Sequence, residues 1–403
     1  MIAPSCCRYL LHRMAFPYVV FLLLLSISSA FAQSSARPSP VEVLCPKPPT
    51  AVVIEGKRVL VYELHITNFG PSALTLTGIE VFADGTSTQS TGAAKLANYS
   101  SGTLSELLRP VDESSQMDAS SHMNSPTNPG QLPIGRRVIA FMYVTVPDGV
   151  QVSALRHRLL FDVADSARGK GTPNDESALD GIMVPVLQQT PTVLSPPFKQ
   201  GVWLVGNGPS NTSVHRRSVI AINGRPYIAQ RFAIDWVMVG SNGNTFHDSR
   251  ERNENFWAFG QPVLAVADGE VTEIVDDFPD NVPGKLPLVT VQNITGNHVI
   301  MRIAPGVYAM YAHLKHGSLR VQVNQKVTRG TELAQVGNSG NTTGAHLHFQ
   351  VVDANSALAS EGIPFVFDRF RYFGLGKDFE EDRHPDLPRS DTLPADGSVV
   401  SFP

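Results

Sequence analysis

Two histidines lie one residue apart in the apolar stretch "GAHLHFQVV", residues 344–352. Its composition predicts a strand, in which side chains i and i+2 share a face with Cα atoms ~6–7 Å apart. His346 and His348 therefore face the same way, while Leu347 and Phe349 point into the core. Two imidazoles at that spacing can serve one centre, one binding a metal ion and the other acting on a substrate beside it. The alternative is a pair of hydrogen-bonded histidines on a solvated face.

Two other strand-like segments carry side chains suited to the same chemistry. "MYAHL" puts His313 on a strand with Tyr311 on the same face. "FAIDW" puts Asp235 on the polar face of a strand whose other face is apolar. A carboxylate among such neighbours needs a partner, and a metal ion or Arg231, four residues earlier, could supply it. The Gly- and Asn-rich turn before His346 also lets the backbone approach a ligand closely.

Five motifs follow one another in the second half of the chain. In these motifs the sequence resembles the lysostaphin-type (LytM-like) zinc metallopeptidases, which cut peptidoglycan peptides. The resemblance covers roughly residues 203–355. It implies a compact antiparallel β domain with a groove, related to the duplicated hybrid motif. Each motif alone is weak evidence, but the five in this order are specific. They are "RFAID", "GQPVLAVADGEV", "GNHVIMRI", "YAHL" and "VGNSGNTTGAHLHFQV".

The resemblance also implies roles for four residues. In that family an H-x-x-x-D motif supplies two zinc ligands, the second His of H-x-H supplies the third, and water takes the fourth position. Carried over, Asp235 and His348 are zinc ligands, and His346 and His313 flank the metal. We expect His346 to be the general base and His313 to stabilise the oxyanion, although the two roles could be exchanged. Zinc with an open position and two such imidazoles suffices for peptide hydrolysis.

The first zinc ligand of that family is missing from this chain. Arg231 stands four residues before Asp235, where the family has His. A guanidinium stays protonated and cannot bind zinc. One interpretation is that another histidine substitutes. His215, in "SVHRRSVI", is the first candidate, and His247, in a polar loop, is a weaker one.

The position of His215 depends on a hairpin expected around Asn223-Gly224. A two-residue turn would set His215 opposite Phe232, on the core face. A three-residue loop would set it opposite Ala233, on the face expected to hold the metal. The hypothesis that His215 is the third ligand therefore requires the longer loop.

Two further interpretations do not need a third ligand. In one, Arg231 neutralises Asp235, and the domain is inactive and binds the cell wall or regulates another cell-wall hydrolase. The retention of His313, His346 and His348 weighs against that degree of decay. In the other, the domain is an ordinary carbohydrate- or peptide-binding β module, which the ordered motifs disfavour.

Residues 1–32 have the features of a secretory signal peptide. Arg8 and Arg13 precede an apolar run, and a small-x-small cleavage site precedes Gln33. Because the run is shorter than the ~20 residues of a spanning helix, we predict cleavage and no membrane attachment afterwards. The protein is then exported to the periplasm or the cell exterior. Cleavage leaves Cys45 as the one cysteine, so no intramolecular disulfide is expected.

The chain has 403 residues, which favours two domains, and a net charge of −4, which argues against a nucleic-acid partner. Short strands separated by turn residues predict an all-β protein with an immunoglobulin-like β-sandwich before the LytM-like domain. The predicted divisions are a signal peptide (1–32), a Ser/Pro-rich leader (33–50), the β-sandwich (51–187), a linker (188–202), the LytM-like domain (203–375) and a polar tail (376–403).

The sequence thus predicts an exported, zinc-dependent endopeptidase. Its predicted substrate is a peptidoglycan peptide, cut within stem peptides or cross-bridges. The alternative is a catalytically inactive LytM-like protein that binds the wall or regulates another hydrolase. No feature of the sequence indicates a protein partner.

Overall fold

The computed structural model describes five stretches of the chain, which belong to one compact unit. These stretches are 40–84, 94–111, 129–163, 176–379 and 384–402. The predicted signal peptide and the first part of the predicted leader lie outside the described residues. Strands dominate and the helices are short, so the all-β prediction is confirmed. Across the described part of the chain, no helix has both the length and the apolar character that crossing a bilayer requires.

The first half of the described chain forms strands β1 to β10 and a short helix, α1. Their bounds are β1 Val41–Leu44, β2 Val52–Ile54, β3 Lys57–Asn68, β4 Leu74–Asp84, β5 Lys95–Ser100, α1 Ser101–Leu107, β6 Leu108–Pro110, β7 Gln131–Leu132, β8 Arg137–Thr145, β9 Ala154–Val163 and β10 Glu176–Pro185.

These strands form two sheets, which we call the amino-terminal sheets. One has the order β1-β3-β8-β6 with β2 on β3, and the other has the order β10-β9-β4-β5 with β7 on β4. All of the pairings are antiparallel. Apolar side chains from both sheets, among them Leu64 and Leu159, pack into one core. The two packed sheets agree with a β-sandwich, and the immunoglobulin-like topology stays a prediction.

The rest of the described chain forms strands β11 to β26, one short α-helix and two 3-10 turns. The bounds are β11 Thr192–Leu194, β12 Val202–Gly206, α2 Val214–Arg217, β13 Ile220–Ile222, β14 Arg225–Tyr227, β15 Ile234–Val239, a 3-10 turn Asn253–Asn255, β16 Pro262–Leu264, β17 Gly269–Val275, β18 Asn297–Ala304, β19 Val307–Leu314, β20 Lys326–Val327, β21 Glu332–Gln335, β22 Leu347–Val352, β23 Phe365–Phe367, β24 Phe370–Leu375, a 3-10 turn Gly376–Asp378, β25 Leu387–Arg389 and β26 Ser398–Ser401.

Ten of these strands form one sheet in the order β20-β17-β18-β19-β22-β15-β12-β26-β24-β25. Every pairing along this order is antiparallel. Three pairs stand outside it, namely β11 with β23, β13 with β14, and β16 with β21. The strands that carry the candidate site residues, β19, β22 and β15, are neighbours inside the large sheet. The sheet therefore holds these residues on a braced surface, away from its edges.

Two segments at the predicted domain borders belong to the folded body. The predicted tail, 376–403, contributes β25 and β26, and β26 lies between β12 and β24. Val400 is fully buried there. The predicted linker, 188–202, contributes β11, which pairs in parallel with β23. Strands β11 and β26 have only three and four residues, so their sequences carry little of the alternation that marks a strand.

Candidate functional site

The register between β15 and β22 brings Asp235 and His348 face to face. Asp235 pairs with His348, and His348 pairs on its other side with Ala312 of β19. His348 Nδ1 lies 3.0 Å from Asp235 Oδ1. Their chain neighbours Trp236 and Phe349 are fully buried in the core. Because strand side chains alternate, Asp235 and His348 project from the opposite face of the sheet.

Three more imidazoles surround the same carboxylate. His346 Nε2 lies 3.4 Å from Asp235 Oδ1, and His215 Nε2 lies 3.3 Å from Asp235 Oδ2. The ring centre of His313 is 4.9 Å from that of His346 and 5.8 Å from that of His348. His346 is half-buried and the other four residues are buried. We call these five residues the histidine cluster.

His215 reaches the cluster by a route that the sequence did not predict. The hairpin β13–β14 has the two-residue turn Asn223-Gly224, with φ of +51° and +78°, between paired Ile222 and Arg225. The prediction of a three-residue loop, on which the expected position of His215 depended, is therefore wrong. His215 instead precedes the hairpin and lies on α2. The helix turns its side chain toward Asp235, which strand register alone did not allow.

His313 also departs from the simple strand pattern. Tyr311 pairs with Phe349 and lies in the core, where its hydroxyl accepts a hydrogen bond from Val266 N. Regular alternation would send His313 to the core as well, so the expectation that His313 and Tyr311 lie on the same face is wrong. His313 has a φ of +59°, which turns its side chain to the cluster. A non-glycine residue in this left-handed conformation costs of order 1 kcal/mol and commonly marks a functional site.

Backbone carbonyls fix the tautomer of three of the four imidazoles. In each ring Nδ1 contacts a carbonyl oxygen, which can only accept, so Nδ1 carries the proton and Nε2 holds a lone pair in the neutral ring. The contacts are His215 Nδ1 to Asn207 O at 3.0 Å, His313 Nδ1 to Ser339 O at 2.8 Å and His346 Nδ1 to Gly344 O at 2.9 Å.

His348 is held in the opposite tautomer. Its Nε2 lies 2.9 Å from Gln350 Oε1, and the amide nitrogen of Gln350 donates to Ala357 O at 3.1 Å. The second bond fixes which end of the amide faces the ring, so His348 Nε2 is the donor and Nδ1 holds the lone pair. That lone pair points at Asp235 Oδ1, 3.0 Å away. Two acceptors at this distance require a positive charge between them.

The residues present fit a zinc ion. His215, Asp235 and His348 each offer a ligand atom, and these atoms lie within 4.8 Å of one another. Two imidazoles and a carboxylate form a donor set typical of catalytic zinc, whose tetrahedral geometry separates neighbouring ligand atoms by about 3.3 Å. The carboxylate is itself held, because Asn207 Nδ2 donates to Asp235 Oδ2 at 2.8 Å. Such partners orient the ligands of a metal site.

Burial and neighbouring charges shift the pKa values of these groups. Burial would raise the pKa of Asp235, but His215 and His346 outweigh it and hold that pKa well below its ordinary value. Burial lowers the pKa of His348. Burial and the neighbouring imidazoles lower the pKa of His313 well below its ordinary value. An ionised carboxylate and neutral imidazoles are the forms that bind a metal.

The cluster lies in a groove with a volume of about 1540 Å³. Residues of the amino-terminal sheets, including His65 and Ile139, line one part of the groove. Leu286 and Val291, from the segment between β17 and β18, line another part. The space is large enough for a peptide of several residues, and it gives such a peptide access to the lone pairs of the cluster.

Comparison with known proteins identifies the family of a segment that lines this groove. Residues 255–360 match the sequence profile of Peptidase family M23. This segment is an M23 domain. The prediction of a lysostaphin-type domain is thereby confirmed. The matched segment contains His313, His346 and His348, whereas His215, Arg231 and Asp235 precede it.

The proteins that are similar to this chain differ in length. The cell division protein DipM of Caulobacter vibrioides is 33% identical over 92 residues, which are 23% of this chain and 12% of DipM. The chain thus spans about an eighth of that relative. The catalytic domain of the peptidase lysostaphin from Staphylococcus simulans is 21% identical, with 41% of this chain and 88% of that chain covered and a TM-score of 0.22. A zinc-containing peptidase from Vibrio cholerae is 14% identical, with 77% and 81% covered and a TM-score of 0.22.

Arg231, which replaces the expected ligand, points away from the cluster of the M23 domain. Its guanidinium forms ion pairs with Glu63 of β3 and with Glu361, at 2.8 and 2.7 Å. Asp235 instead forms its close contacts with the imidazoles of the cluster. The interpretation in which Arg231 neutralises Asp235 is therefore wrong about that contact.

The weaker candidate, His247, lies apart from the cluster. Its side chain is 40% exposed, its Nδ1 lies 2.9 Å from Asp248 Oδ2, and its ring contacts Trp257. The groove of the M23 domain has no lining contribution from His247. The structure therefore leaves His215 as the histidine that accompanies Asp235 and His348.

Sequence reasoning missed two residues that hold the cluster in place. Gln350 follows His348 by two residues and so shares its face, and an H-x-H-x-Q pattern could have indicated it. Asn207 lies in a turn after β12 with a φ of +47°, and no pattern in the sequence links it to Asp235.

Proposed function

We propose that the protein is an exported, zinc-dependent endopeptidase that hydrolyses peptide bonds in peptidoglycan stem peptides or cross-bridges. The observation that carries the proposal is the convergence of lone pairs from His215 and His348 on the ionised carboxylate of Asp235. This donor set lies in a peptide-sized groove, and one of its members, His348, belongs to the M23 domain. We assign His215, Asp235 and His348 as the zinc ligands. Export rests on the predicted signal peptide, which directs the chain to the compartment that holds peptidoglycan.

His346 and His313 are assigned to proton transfer and charge stabilisation. The chemistry that zinc supplies when bound is polarisation of the scissile carbonyl and a lowered pKa for the attacking water. His346 is the general base, because its Nε2 lies beside Asp235 and holds a lone pair that can accept the water's proton. The hydrogen bond from Nδ1 to Gly344 O keeps that nitrogen aimed at the centre. The same ring can then protonate the leaving amine nitrogen.

His313 is assigned to the oxyanion. Its Nδ1 proton is engaged by Ser339 O, so the group that faces the substrate is Nε2. In the neutral ring this nitrogen holds a lone pair, so His313 can donate to an oxyanion only as the imidazolium, a form that its lowered pKa disfavours. The exchanged assignment, with His313 as the base, uses the same tautomer, and variants of both histidines distinguish the two.

One observation favours a second candidate function. Arg231 occupies the position where a zinc ligand is expected, which is compatible with an inactive M23 domain that binds the wall or regulates another hydrolase. This alternative and the enzyme differ in metal content, because only the enzyme requires a complete ligand set.

A zinc assay on the purified chain tests the proposal. We expect about one zinc ion per chain, release of muropeptides from peptidoglycan, and loss of both in His348→Ala and His215→Ala. Zinc that is lost in His348→Ala but kept in His215→Ala would contradict only the assignment of His215. A chain that binds no zinc and releases no muropeptide would exclude the hydrolase and leave the regulatory function.

A further inference from the structure

The helix that carries His215 is anchored to the amino-terminal sheets by the next residue, Arg216. The Arg216 side chain is 1% exposed. Its Nη2 donates to Tyr62 O at 3.0 Å and to Met142 O at 2.8 Å. These two carbonyls belong to paired residues of β3 and β8. A residue adjacent to a proposed zinc ligand is thus fixed to a different part of the fold.

Glu63 of β3 joins this anchor to the second ligand segment. Glu63 Oε1 lies 3.4 Å from Arg216 Nη2, and Glu63 Oε2 lies 2.8 Å from Arg231 Nη2. Arg231 also donates from Nε to both carboxylate oxygens, at 3.2 and 3.1 Å. Arg231 precedes Asp235 by four residues. One carboxylate of the amino-terminal sheets therefore contacts both segments that deliver His215 and Asp235.

The network is balanced in charge and closed to solvent. Glu361 accepts from Arg231 Nη2 at 2.7 Å, so two arginines face two glutamates. The side chains of Glu63, Arg216 and Arg231 are 2%, 1% and 3% exposed. Within the described chain, Nε and Nη1 of Arg216 are buried with no hydrogen-bond partner. Burial removes water from these charges, and the cost of that desolvation cancels much of the attraction between them. The network therefore adds little to the free energy of unfolding. The network does fix the positions of the side chains that it joins.

We propose that Glu63 and Arg216 are positioning residues for the zinc site, so that the amino-terminal sheets set the place of His215. The inference rests on the proposed function. The M23 domain supplies His348, and β15 supplies Asp235. The third ligand stands on a four-residue helix, whose orientation depends on side chains that reach other segments, among them Arg217, which donates to Asn211 O and Glu106 O. Arg216 and Glu63 supply that orientation from outside the domain.

The inference is tested in the full chain with the double variant Glu63→Gln/Arg216→Met. This pair of changes removes one charge of each sign and leaves Arg231 paired with Glu361, so no buried charge loses its counter-charge. We expect zinc to bind about 10–100-fold more weakly in competition with a chelator, with an unchanged circular dichroism spectrum. With cobalt in place of zinc, the visible absorption bands should change, because an imidazole ligand is displaced.

Two control variants separate positioning from stability. Leu159→Ala leaves a cavity in the core of the amino-terminal sheets, and Lys95→Met removes the ion pair between Lys95 and Glu80, two residues that do not line the groove. Both should bind zinc as tightly as the unmodified chain and give its cobalt spectrum. If Leu159→Ala weakens zinc binding as much as the double variant does, the role is structural only and the inference falls.

The remaining outcomes are also distinct. An unchanged zinc affinity in the folded double variant overturns the inference and leaves the proposed function intact. An unmodified chain without zinc overturns both. If the double variant does not fold, Arg216→Lys replaces it, because lysine keeps the charge but cannot span the two carbonyls in the same geometry. Zinc affinity that is at least tenfold weaker in Arg216→Lys supports the inference, and an unchanged affinity overturns it.

Discussion

Each ligand nitrogen of the proposed zinc site depends on the hydrogen bond of the other nitrogen in its ring. For His348 the partner is Gln350 Oε1, at 2.9 Å. In Gln350→Met the side chain keeps a similar volume but loses the acceptor, so the Nε2–H of His348 stays buried without a partner, at a cost of about 1–3 kcal/mol. We expect zinc affinity to fall about 10–100-fold in a chelator competition. Gln350→Glu keeps the acceptor oxygen, and its second oxygen must carry a proton to replace the donor to Ala357 O, so this variant should retain more affinity than Gln350→Met. Equal losses in both variants would argue against an orienting role for Gln350.

Glutamine variants distinguish the roles of His346 and His313. A glutamine amide can donate a hydrogen bond, but it cannot accept a proton near neutral pH. If His346 is the base and His313 the oxyanion donor, kcat should fall about 10²–10⁴-fold in His346→Gln. His313→Gln should then keep more activity than His313→Ala. The measurement is peptide release under saturating substrate, with zinc content checked in each variant. The opposite pattern, in which His346→Gln is the milder change, would exchange the two roles.

The residue types of the cluster were more predictable than its geometry. The two-residue period of a strand places His346 and His348 on one face, and the sequence contains that period. The left-handed φ of His313 could not be predicted from the sequence. The bend at the end of β19 and the hydrogen bond from His313 N to Thr295 O impose this conformation. The side chain of Arg231 could not be placed either, because its partner Glu63 is 168 residues away in the sequence.

The elements that carry the cluster were predicted with unequal success. Long alternating segments such as β15, β19 and β22 were expected and are present. The segment "LPLVTVQN", residues 286–293, has the apolar and β-branched composition of a strand, but no strand forms there. Pro287 lacks an N–H for a strand ladder, and Asn293 Oδ1 accepts from Thr290 N, which closes a turn. Helix α2, at four residues, is too short to show a helical period, so the route by which His215 reaches Asp235 could not be derived.

Strand β26 gives a prediction at the scale of the element. Because β26 lies inside the large sheet and Val400 is fully buried, Val400→Asp forces a carboxylate into the core. We expect the free energy of unfolding to fall by several kcal/mol, measured by denaturant titration. Leu387→Asp, at an exposed position of the edge strand β25, should change it by about 0.5 kcal/mol or less. A terminal segment that merely lies on the surface would make the two variants equally mild.

The two parts of the molecule share a core as well as an ion network. Val52, Ile54 and Val59 of β2 and β3 pack in the same apolar cluster as Trp236 and Phe349, which lie beneath the site. A Pro-bearing segment between two β-rich regions predicts two domains with separate cores. The alternation of side chains within a strand does not indicate which distant strand packs against that strand. Burial across this boundary makes the amino-terminal sheets part of the support of the site.

Stability of the whole molecule should depend on pH through a buried histidine in those sheets. His157 Nε2 lies 2.7 Å from the hydroxyl of Tyr62, and Nδ1 donates to Ile182 O at 3.1 Å, so the native ring is neutral. Burial lowers the pKa of His157 from 6.5 to about 4. Between these two values the unfolded chain binds a proton that the native chain does not, so the free energy of unfolding falls as the pH falls from 6.5 toward 4. The slope from this residue is about 1.4 kcal/mol per pH unit, and its total is at most about 3 kcal/mol.

His157→Gln isolates this contribution, because glutamine can keep polar contacts but does not titrate. Unfolding is followed by denaturant titration at several values between pH 7 and pH 4.5, with a chelator present so that metal binding does not contribute. The variant should be less stable at pH 7 and should lose less stability on acidification than the unmodified chain. Part of the slope should remain, because burial lowers the pKa of His65 to about 4 as well. A slope in His157→Gln equal to that of the unmodified chain would show that His157 is already protonated in the native state or titrates alike in both states.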